Sequence, residues 1–237
     1  GALNDNIYKL LIVFFLIDQE GIENGHKILA LTGAIFVLPF LLISAFSGIL
    51  ADRYSKRNII AFTKVLELIV MGLGVVAFWY ESRWGSYAIL LLMAAQTALF
   101  GPSKYGILPE LVPQDKISRS NGIMTSFTFL AIISGTFFAS FLVDITGRNF
   151  IMASIFCTVV ALVGVVSSFC IEYTPPAGSS KKFDTRFLHD IFTTLKLTSH
   201  YPSLLMAVCG SAFFLFLGAF VQLNMIPFAT QSLHLSD

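Results

Sequence analysis

Residues 47–58 read "SGILADRYSKRN", and four charged residues in this stretch, Asp52, Arg53, Lys56 and Arg57, separate two long apolar runs. Gly48 leaves the end of the first run without a side chain, and Asp52 stands where a helix of that run would finish. In a soluble domain this is an ordinary loop. Between two membrane spans it is a short polar connection whose every charge has a position to explain. The solvent of the flanking runs therefore decides the fold.

Composition answers that question. The chain is 56% hydrophobic and 12% charged with mean hydropathy +0.79, against about 45–50% apolar and about 25% charged in a typical soluble domain. An all-α polytopic membrane protein is expected. A net charge of +1 gives no reason to expect a nucleic-acid partner. Cys157, Cys170 and Cys209 lie in apolar runs without metal-ligand or CxxC spacing, so they read as small buried hydrophobes, and no metal or cofactor is expected.

A spanning helix needs about 20 mainly apolar residues. Runs of that kind occur near 3–17, 28–51, 58–80, 86–109, 119–143, 150–171 and 202–228. The first lacks a basic leader and a small-residue cleavage site, and the chain has no initiator Met, so it reads as a fragment trimmed at both ends. The longest connection, 172–201, divides it into a six-span half over 1–171, a linker, and a seventh span in 202–237. Within the linker, Phe183, Phe187, Leu188, Ile191, Phe192 and Leu195 recur at helical spacing among Lys and Arg residues, the pattern of a helix lying on a membrane surface.

Basic residues orient the spans. Arg53, Lys56 and Arg57 follow the second run, Lys116 and Arg119 the fourth, and Lys181, Lys182, Arg186 and Lys196 the sixth. The alternate loops hold only Lys27, Arg83 and Arg148. Short Lys/Arg-rich loops stay on the cytoplasmic side, so a cytoplasmic N-terminus is expected.

Six spans, a long cytoplasmic linker and the start of further spans resemble the layout of the major facilitator superfamily. The opening stretch carries the specific likeness: Gly48, Leu50, Ala51, Asp52, Arg53, Ser55, Lys56 and Arg57 follow that superfamily's signature loop, with Ser55 where a glycine is usual. The resemblance implies a gating loop of Gly48, Asp52, Arg53, Lys56 and Arg57. Gly48 would admit a neighbouring helix, and Asp52 would latch the cytoplasmic side in one state by meeting a basic residue or a helix N-terminus.

Charges inside the spans mark candidate substrate contacts: Asp5 and Lys9 at i and i+4, Lys64 and Glu67 at i and i+3, and Lys104. The first two pairs have the spacing to neutralise themselves. Lys104 has no acidic residue within four positions, and it follows Gly101–Pro102 in "ALFGPSKYGILPEL". An unpaired ammonium at depth calls for a wet cavity, a carboxylate or an anionic ligand, unless it snorkels to the nearby surface. Irregular backbone at depth is expected only beside a cavity. Asp5 and Lys104 are therefore expected to be opposite walls of one polar site. In the fifth span Ala131, Gly135 and Ala139 recur every four residues, a seam for close helix packing.

"NDN" (Asn4–Asn6), "ADRYSK", "GPSKYGILPEL" and "SRSNGIMTS" resemble the bacterial lysophospholipid transporter family over the whole chain. That resemblance implies a secondary transporter of the bacterial inner membrane. It would move lysophospholipid, chiefly lysophosphatidylethanolamine, to an acyltransferase/acyl-carrier-protein synthetase that is separate or fused. Lys104 would then meet the phosphate and Asp5 the ammonium. Asn4, Asn6, Gln96 and Tyr105 are candidate hydrogen-bonders, with Lys64 and Glu67 nearby, and the 24 phenylalanines are ample for an acyl groove. Where the family carries a basic residue in its seventh span, this chain has Gln222 and Asn224.

Two alternatives share parts of the pattern: another facilitator for drugs, sugars or metabolites, and the membrane part of a fused acyltransferase. The first has no need of the "KYGIL" block. The second needs a His-x4-Asp pair, which His26, His189, His200 and His234 do not form. For topology, cysteine labelling is expected to find position 184 cytoplasmic and position 24 external; the reverse pattern overturns the orientation read from the charges.

Overall fold

The computed structural model describes residues 1–176, 178, 193, 196–198 and 200–231, with side chains in the last helix described for Pro202–Val221 and Phe228. Among the described residues seven long helices follow one another: α1 (Ala2–Glu20), α2 (Gly25–Arg53), α3 (Lys56–Trp79), α4 (Arg83–Gly106), α5 (Ile117–Ile145), α6 (Phe150–Phe169) and α7 (Pro202–Gln231). Each expected span falls on one of them, and no strand occurs among the described residues. The apolar stripe from Phe183 to Leu195 lies outside the described residues.

The joints follow from local chemistry. Ser82 caps α4 by accepting from the Gly85 amide at 3.0 Å, and Asn149 caps α6 by accepting from the Met152 amide at 3.1 Å. Each satisfies one of the amides that a helix start leaves unpaired. Between α5 and α6 the chain reverses through Gly147 and Arg148, both left-handed at φ 59° and 64°. Pro39 lies inside α2 and Pro102 inside α4. The irregular backbone expected at Gly101–Pro102 is absent: α4 continues through it to Gly106. Neighbouring helices make such a proline tolerable in a membrane helix.

In the bundle, α4 packs against both α2 and α3, α3 also packs against α6, and α1 runs through the middle in contact with α2, α4, α5 and α6. Among the described residues six helices are long and apolar enough to cross a membrane; α1 is not among them. It carries Asp5, Lys9, Asp18 and Glu20 within 19 residues, and its neighbours shield it from the exterior. Ile7, Tyr8, Leu11, Ile12, Phe15 and Leu16 of α1 form the centre of the apolar core. Phe15 packs edge-on against Phe78 and Phe150, with ring centroids 4.9 and 5.5 Å apart.

Two glycines set how closely α1 approaches. Tyr8 lies against the bare backbone of Gly74 on α3. On α5, a Cβ at Gly135 would stand 2.8 Å from the Leu3 carbonyl oxygen and 2.9 Å from Asn6 Cβ. With Ala139 fully buried, this is the small-residue seam expected in the fifth span. The outer faces are the reverse of a soluble protein's. Leu41, Leu42 and Phe46 of α2 and Phe127, Ile133 and Phe137 of α5 are exposed in broad apolar strips, far beyond what water-facing monomers tolerate. The chain is a multi-pass membrane protein. Cys157 is buried as expected, whereas Cys170 and Cys209 are exposed, because both sit on outward faces where an apolar thiol has nothing to avoid.

Gly135→Val puts a branched side chain against α1 backbone. Overpacking of this kind costs about 1–3 kcal/mol. A lowered melting temperature of the purified full-length protein in detergent is expected, and an unchanged one refutes the seam.

Candidate substrate site

Thr97, Phe100 and Lys104 lie at i, i+3 and i+7 on α4, which places them on one face of that helix. Three charges gather along this face. From α1, Asp5 accepts a hydrogen bond from the Thr97 hydroxyl at 3.1 Å through Oδ2, while its buried Oδ1 has no partner among the described residues. From α3, the Lys64 ammonium lies 4.7 Å from the centre of the Phe100 ring. Lys104 itself donates to Thr128 Oγ1 of α5 at 2.7 Å and lies 5.2 Å from the Tyr105 ring centre. Asp5, held by Thr97, and Lys104 thus mark the two ends of one polar row, Thr97 and Lys104 lying about 10 Å apart along the helix axis.

Between them, Lys64 and Glu67 neutralise each other at 2.5 Å. Asn4 Nδ2 donates to the other oxygen of Glu67 at 3.3 Å. Glu67 is 1% exposed and Lys64 8%, and the carboxylate at such depth is tolerable only with this cation and amide beside it. Expected as substrate contacts, Lys64 and Glu67 are already satisfied by one another. Among the described residues, neither Asp5 nor Lys104 forms a side-chain ion pair within 4.0 Å. The row therefore ends in one unpaired negative and one unpaired positive charge.

The other expected contacts divide. Gln96 is buried and donates to Thr97 at 2.8 Å, so it supports the hydroxyl that holds Asp5. Asn6 does not face the row: its amide donates to the Ala2 carbonyl of its own helix at 2.8 Å. Tyr105 is 46% exposed beside Lys104. The side chains of Gln222 and Asn224 lie outside those described. Lys9 does not pair with Asp5, because Asp5 turns to α4 and Lys9 turns to Phe36 of α2, 5.3 Å from the ring centre.

The 47–58 loop is braced from two sides. Lys56 lies along Gly106 and forms an ion pair with Glu110, in the single helical turn Leu108–Leu111 after α4. Arg57 donates to the Phe169 and Ile171 carbonyl oxygens at 3.2 and 3.4 Å, where a helix C-terminus favours a cation. Asp52 is exposed, with no hydrogen bond or ion pair among the described residues. Nothing described comes within 4 Å of a Cβ built at Gly48, so the close approach expected there is not made by these helices. Arg53 is exposed on the same turn.

Sequence reasoning passed over Thr97, Phe100, Thr128 and Glu110. The i, i+3, i+7 relation to Lys104 was a usable signal for the first two, and Glu110 is an acid in the short connection after α4 that meets the basic loop. Thr128 had none, since it is brought in by α5 only through packing.

Removing one member of the buried pair strands the other, which costs about 3–5 kcal/mol. Lys64→Met is expected to lower the melting temperature of the full-length protein strongly, and Lys64→Met with Glu67→Met to recover much of the loss. Equal losses in the single and double variants would refute the pairing as the source.

At the opposite end of the bundle, Arg83–Glu20 at 2.9 Å and Arg148–Asp18 tie α1 to the α4 and α6 entrances. This architecture agrees with the relatives found by sequence. The family model described as the Major Facilitator Superfamily matches residues 6–236. The lysophospholipid transporter LplT of Photorhabdus laumondii subsp. laumondii is 27% identical over 204 residues, 86% of this chain and 49% of that protein. Its namesake in Klebsiella pneumoniae subsp. pneumoniae is 29% identical over 194 residues, 81% of this chain and 46% of that protein. The LplT of Enterobacter sp. (strain 638) is 27% identical over 205 residues, 86% and 49% of the two chains. The chain spans about half the length of the curated relatives it matches. With a matching family model across almost its full length and a bundle of apolar helices around a charged central one, the chain belongs to the major facilitator superfamily.

Proposed function

We propose that the protein is a secondary transporter of lysophospholipid, chiefly lysophosphatidylethanolamine, working in the bacterial inner membrane with a cytoplasmic N-terminus. The lipid it brings in would be reacylated by a separate or fused acyltransferase/acyl-carrier-protein synthetase. The observation that supports this reading is the pair of unmatched charges on the α4 row. Lysophosphatidylethanolamine carries one phosphate anion and one ammonium, and the row ends in one cation, Lys104, and one carboxylate, Asp5. Lys104 meets the phosphate as a compact point charge, and Asp5 meets the ammonium through its unpartnered Oδ1. Thr97 and Gln96 hold Asp5 in place, and Thr128 holds Lys104. Asp52, exposed on the bundle's basic end, is the latch, engaging a surface beyond these helices. Alternating access follows by rocking of one half of such a transporter against the other.

Uptake measured with the full-length protein at matched expression tests the reading. A hydrogen bond to a charged group is worth about 1.5–3 kcal/mol, so Lys104→Ala is expected to reduce lysophosphatidylethanolamine uptake at least about tenfold. Lys104→Arg is expected to restore part of it. Asp5→Asn is expected to reduce lysophosphatidylethanolamine uptake more than lysophosphatidylglycerol uptake, because the latter has no ammonium. Unchanged uptake in Lys104→Ala refutes the site; equal loss of both lipids in Asp5→Asn refutes the ammonium role.

A further inference from the structure

One turn along α1 from Asp5, Lys9 faces a different space. It lines a cleft of about 550 Å³ between α1, α2 and α7, whose walls include Val13, Leu29, Phe36, Val37 and Ala219. That volume lies within the range of about 300–1,000 Å³ usual for small-molecule sites. Among the described lining residues Lys9 is the one charged side chain. No carboxylate lies within 4.0 Å of it among the described residues, and its described partner is the face of the Phe36 ring. A ring face offsets only part of what an ammonium loses on leaving water, so an anion seated in the cleft would gain from Lys9. On the α2 wall Thr32 is 2% exposed, and its hydroxyl has no hydrogen-bond partner among the described residues. One cation among walls that are otherwise mainly apolar in the described residues suits a phosphate attached to a single acyl chain.

We propose that the α1–α2–α7 cleft is a second binding site for a phosphate-bearing single-chain amphiphile, with Lys9 holding the phosphate and Phe36 and Val37 flanking the chain. The choice of amphiphile rests on the lysophospholipid reading; the cleft and its cation do not. The site is separate from the α4 row, because Asp5 and Lys9 diverge to different helices. It provides a station one turn from Asp5, at which a headgroup can wait before or after engaging the row.

Photo-crosslinking of the full-length protein in nanodiscs tests this, using lysophosphatidylethanolamine, a monoacylglycerol and a free fatty acid, each with a diazirine on the acyl chain. The lysophospholipid is expected to label α2 between positions 29 and 37, and Lys9→Gln to reduce that labelling about tenfold, the loss of one charge-assisted contact. Lys9→Arg is expected to retain most of it, and an unchanged melting temperature in Lys9→Gln shows that folding is intact. The monoacylglycerol is expected to label weakly and without regard to Lys9. Absence of label from 29–37, or label indifferent to Lys9→Gln, overturns the site. Equal Lys9-dependent labelling by the fatty acid overturns the phosphate assignment. Lys104→Ala separates the two proposals: loss of uptake with cleft labelling kept supports both, whereas full uptake with Lys9-dependent labelling refutes the α4 row alone.

Discussion

Hydrocarbon cannot accept α1. A helix with Asp5, Lys9, Asp18 and Glu20 in 19 residues has to find protein on nearly every side, because a lipid-facing charge is costly. The other helices satisfy that requirement. α2, α4, α5 and α6 all touch it, and the glycines at 74 and 135 let α3 and α5 come close enough to seal it. The same constraint explains the inverted surface, with the polar groups inside and Phe, Leu and Ile on the outer faces of α2 and α5.

Burial of α1 has a consequence for chemistry. Each of its charges is delivered to a particular neighbour: Asp5 to Thr97 of α4, Lys9 to Phe36 of α2, Asp18 to Arg148 and Glu20 to Arg83. The last two are tied off as ion pairs near one end of the bundle. Asp5 and Lys9 are left with neutral partners near the other half of the helix, and those are the positions where a ligand gains most by supplying the opposite charge. α4 then organises the interior, because one face of it receives contributions from α1, α3 and α5 in sequence.

Much of this was legible in the chain. The apolar runs located the long helices to within a few residues, since the cost of unpaired backbone in lipid makes the helix the only option for a long apolar run. The basic loop after α2 was legible as a short polar connection, and its Lys56 and Arg57 engage the turn after α4 and the C-terminus of α6. The Lys64–Glu67 spacing admitted self-neutralisation, which is what the structure shows. Asp5 and Lys9 had equally good spacing and do not pair. The difference lies in neighbours: Lys64 and Glu67 share one buried space beside Asn4, whereas two separate helices draw Asp5 and Lys9 apart. Similarly, Gly101–Pro102 promised a break that packing against α2 and α3 removes.

The sequence by itself determined which segments are helices, where they end, and which residues carry charge into the membrane. These follow from local quantities: apolar run length, caps at Ser82 and Asn149, and the clustering of Lys and Arg in loops. Only the tertiary structure decided which of those charges cancel and which stay available. Glu67 is silenced by Lys64 and Asn4, Lys56 by Glu110, and Asp5, Lys9 and Lys104 keep uncharged partners. The physical reason is range: at membrane depth an ion pair is settled by atoms within about 4 Å, and it is the packing of α1 against α3 and α4 that brings those atoms together from positions more than 60 residues apart.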